Sequence, residues 1–146
     1  MKIKTRFFGE IQVDENKLIF FEEGLPGFPE LKKFLFMTDT DENSPFCWLQ
    51  SIEDLDIVFT LFDIYSIMED YNPMVSSDII DDIGKFKEGD ILIYTIANIP
   101  QDIKKMSVNL KAPIVINLNN NKAKQIISAN EEYEIKTYIY DKLKKG

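Results

Sequence analysis

A mainly-β fold, one small barrel-like domain of about nine short strands with one or two short helices, is what this chain predicts, and three observations carry it. Apolar runs of strand length recur from end to end, each bounded by Gly, Pro, Asn or Asp. The stretch from Met106 to Asn117 alternates apolar residues at 106, 108 and 110 with polar ones at 107, 109 and 111, breaks at Pro113, and resumes as the β-branched run from Ile114. Helical spacing is confined to the segment from Tyr65 to Phe86. At 146 residues and 45% apolar composition, with no internal repeat or linker, the chain fits a single domain over residues 1–146.

In order, Lys2 to Thr5 and Gly9 to Val13 read as two short strands, and Lys17 to Phe21 follows after an Asp-Glu-Asn turn. Gly24, Leu25, Pro26, Gly27 and Phe28 form a tight loop, and Pro29 with Glu30 to Lys33 predicts a single helical turn. Phe34 to Thr38, Phe46 to Ser51 and Asp56 to Phe62 are strands. Ile79, Ile80, Ile83 and Phe86 share one face of a short helix that Ser76 or Ser77 caps. Ile91 to Ile99 is a strand with apolar residues on both faces, ended by Pro100. Beyond the kinked stretch, Asn119 to Asn121 turn the chain into a return strand from Ala123 to Ile127, and Tyr133 to Leu143 alternates weakly and ends in a basic tail of Lys142, Lys144 and Lys145. Trp48, Phe59, Ile93, Val108 and Ile114 are the expected core residues, and Asn109 and Asn117 the polar side chains expected to satisfy loop backbone near the bend.

The composition removes much chemistry. Histidine is absent, and with it the usual general base and the commonest zinc ligand. The one cysteine, Cys47, sits between Phe46 and Trp48 and reads as a small core residue. Asp39, Asp41 and Asn43 start like a calcium loop, but Ser44 and Gln50 stand where glycine and glutamate are needed. The Gly24–Gly27 loop lacks the Lys-Ser/Thr pair of a phosphate cradle. Carboxylate pairs such as Glu69 with Asp70, or Asp81 with Asp82, are adjacent in sequence and so do not face one another on a helix or a strand. No cofactor or metal site is expected. No apolar run is long enough to span a membrane and no secretory signal is supported, so the cytoplasm is the expected location.

Charge is unevenly spread. Residues 39 to 90 carry 14 acids and 2 bases, while residues 91 to 146 carry 5 acids and 9 bases. An acidic middle third opposes direct phosphate-backbone binding and favours a basic partner, with Asp78, Asp81 and Asp82 on the polar side of the short helix as its candidate contacts.

Several dispersed motifs resemble one family in a single order. They are Phe20 with Gly24 to Phe28; Pro45 and Phe46 with Trp48 to Ser51; Asp70 and Tyr71; Met106 to Asn117, sharpest at Asn109 to Pro113; and Lys124 to Ile127. Together they resemble the flagellar assembly factor FliW family across nearly the whole chain, with mild departures at Ile64, Lys105 and Ser107. The resemblance implies a non-enzymatic β-barrel-like protein that binds newly made flagellin and, once flagellin is exported, binds and antagonises the translational repressor CsrA. Flagellin's amphipathic terminal segments would need an apolar groove, for which Leu25, Phe28 and Leu110 are the candidate anchors, unless these residues plug the ends of the barrel. A structural β-domain of a larger complex and a carboxylate acid/base enzyme are the alternatives.

Overall fold

The stretch from Met106 to Asn117 folds as two strands along one partner. The computed structural model describes residues 1–87 and 89–145. In it, β7 (Ile91–Asn98) pairs antiparallel with β8 (Ser107–Val108) through Ala97↔Val108 and with β9 (Ile114–Asn117) through Tyr94↔Ile114. The Asn109 N–H still donates to the Ile96 carbonyl of β7 at 3.0 Å, but from Leu110 to Pro113 the chain is looped out up to the proline, which cannot donate to the ladder, and Asn109 Oδ1 accepts the Ala112 N–H at 3.0 Å to hold the bend.

The remaining strands are β1 (Lys2–Thr5), β2 (Gly9–Gln12), β3 (Ile19–Phe21), β4 (Lys33–Thr38), β5 (Phe46–Ser51), β6 (Val58–Phe62), β10 (Lys122–Gln125) and β11 (Thr137–Tyr138). The helices are α1 (Ser77–Ile83) and α2 (Tyr140–Lys145). Seven strands close a barrel in the order β3, β4, β5, β6, β7, β9, β10 and back to β3. An odd ring cannot alternate direction all the way round, so one seam must be parallel. That seam is β10 against β3, with Phe20 opposite Lys122. The β1–β2 hairpin stands apart, and β8 with β11 extends the sheet beyond the barrel wall.

Alternation of side chains across the wall separates two cores. Inside lie Phe21, Phe34, Leu49, Leu61, Ile114 and Ile116, all buried, with Leu25 and Leu31 from the loop after β3. Outside, Phe62, Ile64, Tyr71, Met106, Val108, Leu110 and Ile139 form a second cluster, and Ile83 of α1 covers Val115 and Ile126. Three single 3-10 turns, at Glu15–Lys17, Ile64–Ser66 and Ile103–Lys105, each start after an aspartate whose carboxylate accepts the N–H two residues on.

The mainly-β class is observed, with eleven strands among the described residues in place of about nine. Residues 29 to 33 do not form a helical turn: Glu53 Oε1 takes the N–H groups of Lys32 and Lys33 at 2.6 and 2.8 Å, and the Lys32 carbonyl accepts from Phe21, so those groups are committed across the sheet. Within the weakly alternating segment from Tyr133 to Leu143 only Thr137–Tyr138 is strand, and α2 begins at Tyr140. Ser107 is buried, because β8 is flanked by β7 and β11 and covered on both faces. Of the expected core residues, Val108 and Ile114 are buried, while Trp48, Phe59 and Ile93 are half-buried. Trp48 has the opposite parity to Cys47 and Leu49, so it points outward and packs edge-on against Phe8, ring centroids 5.6 Å apart. Phe86 is exposed beyond the end of α1, and the side chains of Ile79 and Ile80 lie outside those described.

Cys47 is buried inside the barrel, and burial pushes its thiol from 9.0 up to about 12. Burial likewise raises Tyr94 to about 12 and Tyr71 further. These groups ionise more readily in the unfolded chain, so stability is complete below their ordinary values and declines as pH climbs from about 9 toward the folded values. A falling melting temperature over that alkaline window, and no reaction of native Cys47 with a disulfide reagent at about pH 8, are the expected results. Rapid native labelling would place the thiol at the surface.

Candidate functional site

The sharpest sequence motif meets another in space. The Tyr71 hydroxyl, buried, donates to the Leu110 carbonyl at 2.7 Å, joining the Asp70–Tyr71 pair to the Asn109–Pro113 bend. The Tyr71 ring packs tilted against Tyr133, centroids 4.8 Å apart, and against Tyr65 at 5.8 Å. Over this layer opens a cleft of about 340 Å³ whose walls are Met68, Asp70, Leu110, Tyr133, Glu134 and Thr137, with Glu132 at its edge.

The far wall is pinned at several points. Tyr133 Oη accepts the Asn72 N–H at 2.8 Å, and the Glu134 carbonyl accepts from Leu110 and Lys111 at 3.0 and 3.2 Å. Asn130, buried, donates to the Asn72 carbonyl at 3.2 Å and to Glu132 Oε1 at 3.1 Å, and its Oδ1 accepts the Met74 N–H at 2.6 Å. The Asn130 amide, first among its causes, draws the Glu132 carboxyl below its usual range. Neither the Asp70 nor the Glu134 carboxylate meets a hydrogen-bond or ion-pair partner among the described residues.

The six residues singled out from sequence lie in three places. Leu25 is 4% exposed inside the barrel, held by the loop in which Leu25 and Phe28 bridge, and Phe28 is half-buried with its ring 6.1 Å from Phe59. Leu110 is also 4% exposed but belongs to the outer core, so it floors the cleft and does not plug a barrel end. Asp78, Asp81 and Asp82 are exposed on α1, and Asp82 pairs with Lys124 Nζ of β10 at 2.6 Å. Leu25 and Leu110 are therefore on opposite sides of the barrel wall, and α1 covers a third region.

Asn117 satisfies loop backbone as expected: its Nδ2 donates to the Ile83 and Lys85 carbonyls at 2.9 and 3.1 Å, closing the C-terminal end of α1. Sequence reasoning missed Asn130 and the Glu132–Glu134 rim. The clustering of Glu131, Glu132, Tyr133 and Glu134 was the available signal, but only the fold carries it to Leu110. Among the described residues no group of three potential ligands is arranged to hold a metal ion. Asp39, which begins the calcium-like sequence, instead accepts the Asp41 N–H at 3.1 Å within a surface turn, and that bond leads the causes that lower its carboxyl.

The family described as FliW protein matches residues 2–139. The flagellar assembly factor FliW of Thermoanaerobacter pseudethanolicus is 44% identical over 144 residues, covering 99% of this chain and 96% of that protein. Its counterpart from Caldicellulosiruptor saccharolyticus is 39% identical over 141 residues, covering 97% and 91%. A crystal structure of the flagellar assembly factor FliW superposes with a TM-score of 0.86 at 30% identity, over 96% of this chain and 97% of that one.

Proposed function

The chain belongs to the FliW family of flagellar assembly factors, which are not enzymes, and from that premise we propose that it binds flagellin and, when flagellin is depleted, binds and antagonises CsrA in the cytoplasm. An assembly factor of the flagellum acts through flagellar components, and flagellin is the abundant one whose supply needs matching to export. The observation that supports a basic second partner is the exposed acidic face of α1, with Asp78 and Asp81 turned to solvent beside Asp82. No helix among the described residues is long and apolar enough to cross a membrane. The reading makes the protein a titrated switch between two partners, set by their relative affinities and amounts.

Titration of purified CsrA against the wild type and against Asp78→Lys/Asp81→Lys/Asp82→Lys tests the acidic helix. The triple variant should lose at least tenfold in affinity at low salt, mainly through slower association. Unchanged affinity would remove α1 from the interface. For flagellin, Phe28 is the one of the three proposed anchors with surface to offer, and Phe28→Ala should weaken flagellin binding by about tenfold or more. Leu25→Ala and Leu110→Ala should act first on stability, by about 2–5 kcal/mol, because both side chains are buried.

A further inference from the structure

We propose that the cleft over Leu110 seats a single arginine side chain projecting from an apolar peptide segment of a protein partner. The floor is apolar, from Leu110 and Met68, and suits the methylene stem of a long side chain. One wall is the ring of Tyr133, held in place by its hydroxyl and by Tyr71 behind it, and a planar guanidinium can stack on such a face. The cleft is also lined by Asp70 and Glu134, whose carboxylates have no partner among the described residues, and by Glu132, whose Oε1 accepts from Asn130. Two carboxylates and an aromatic face match the five donors of a guanidinium better than the compact charge of an ammonium.

Glu134 and Glu132 lie on a segment whose backbone and side chains are fastened to Leu110, Asn72 and Asn130, so the rim is formed before any partner arrives. Lys111 donates to the Asn130 carbonyl at 2.9 Å and forms no ion pair with Asp70 or Glu134 among the described residues. The cleft is lined by none of the residues of α1, so the two surfaces can be tested by separate substitutions.

The test is a titration of isotopically labelled protein, followed by amide chemical shifts, with the peptide acetyl-Leu-Arg-Leu-amide and with its citrulline counterpart, which keeps the shape and removes the charge. The arginine peptide should give saturable shifts at Asp70, Leu110, Glu134 and Thr137 with millimolar affinity, and the citrulline peptide should bind at least tenfold more weakly. Asp70→Asn/Glu134→Gln should cost the arginine peptide about tenfold while leaving the melting temperature within a degree or two, since both side chains are exposed. Equal binding of the two peptides, saturable shifts centred elsewhere, or an undiminished affinity in the double variant would each overturn the assignment.

Discussion

Phe34→Ala is expected to lower the unfolding free energy by about 3–5 kcal/mol, the largest effect of any single truncation in the barrel. Phe34 has no exposed surface, and its ring meets Phe21 at 5.4 Å and Phe59 at 6.0 Å, both edge-on. Removing it deletes a large apolar group and leaves a void among strands that cannot collapse, because each is fastened to two neighbours around a closed ring. Urea denaturation should show a lower midpoint with an unchanged slope. Phe7→Ala is the control: Phe7 is 62% exposed at the tip of the hairpin, and its loss should stay within about 0.5 kcal/mol. Coincident midpoints for the wild type and Phe34→Ala would mean the interior is not packed as described.

Gly24→Ala should destabilise by roughly 3 kcal/mol or more, although it adds one methyl group. Gly24 has φ +69°, and a Cβ there would lie 2.5 Å from the Phe28 carbonyl oxygen and 2.7 Å from Pro29 Cα. Both are backbone atoms, so no rotamer change relieves the overlap. The bridge between Leu25 and Phe28 would have to open, withdrawing Leu25 from the interior. Gly27 separates the two costs. It has φ +82° but open space at the Cβ position, so Gly27→Ala carries only the left-handed penalty of about 1–2 kcal/mol. Equal effects at the two positions would show that steric contact at Gly24 contributes nothing.

Where the sequence was legible, the cause was local. Apolar runs of strand length placed β4, β5 and β7, Pro113 marked the bend, and the asparagines after Ile116 made the β9–β10 turn, with Asn121 at φ +58°. Legibility failed where a distant group decided. Glu53 claims the N–H groups that a helical turn at 29 to 33 would have used, and the β1–β2 hairpin gives Trp48 an outward neighbour in Phe8. The cleft was illegible for the same reason, since its lining comes from residues 68–70, 110 and 132–137 and is assembled by the outer core. Leu110 stood out in the sequence but not its side of the barrel, which depends on the looped-out residues between β8 and β9.

The single parallel seam has a consequence for the order of assembly. Every other junction of the barrel joins strands that follow one another in sequence or lie within a few tens of residues, whereas Phe20 must wait for Lys122. Closing so long a loop carries the largest entropy cost of any junction, so it is met only after the other strands have already gathered. During synthesis, β3 therefore emerges with one edge bare and keeps it bare until Gln125 is available, which makes the first barrel strand the most vulnerable part of the nascent chain and the seam the step that sets the folding rate.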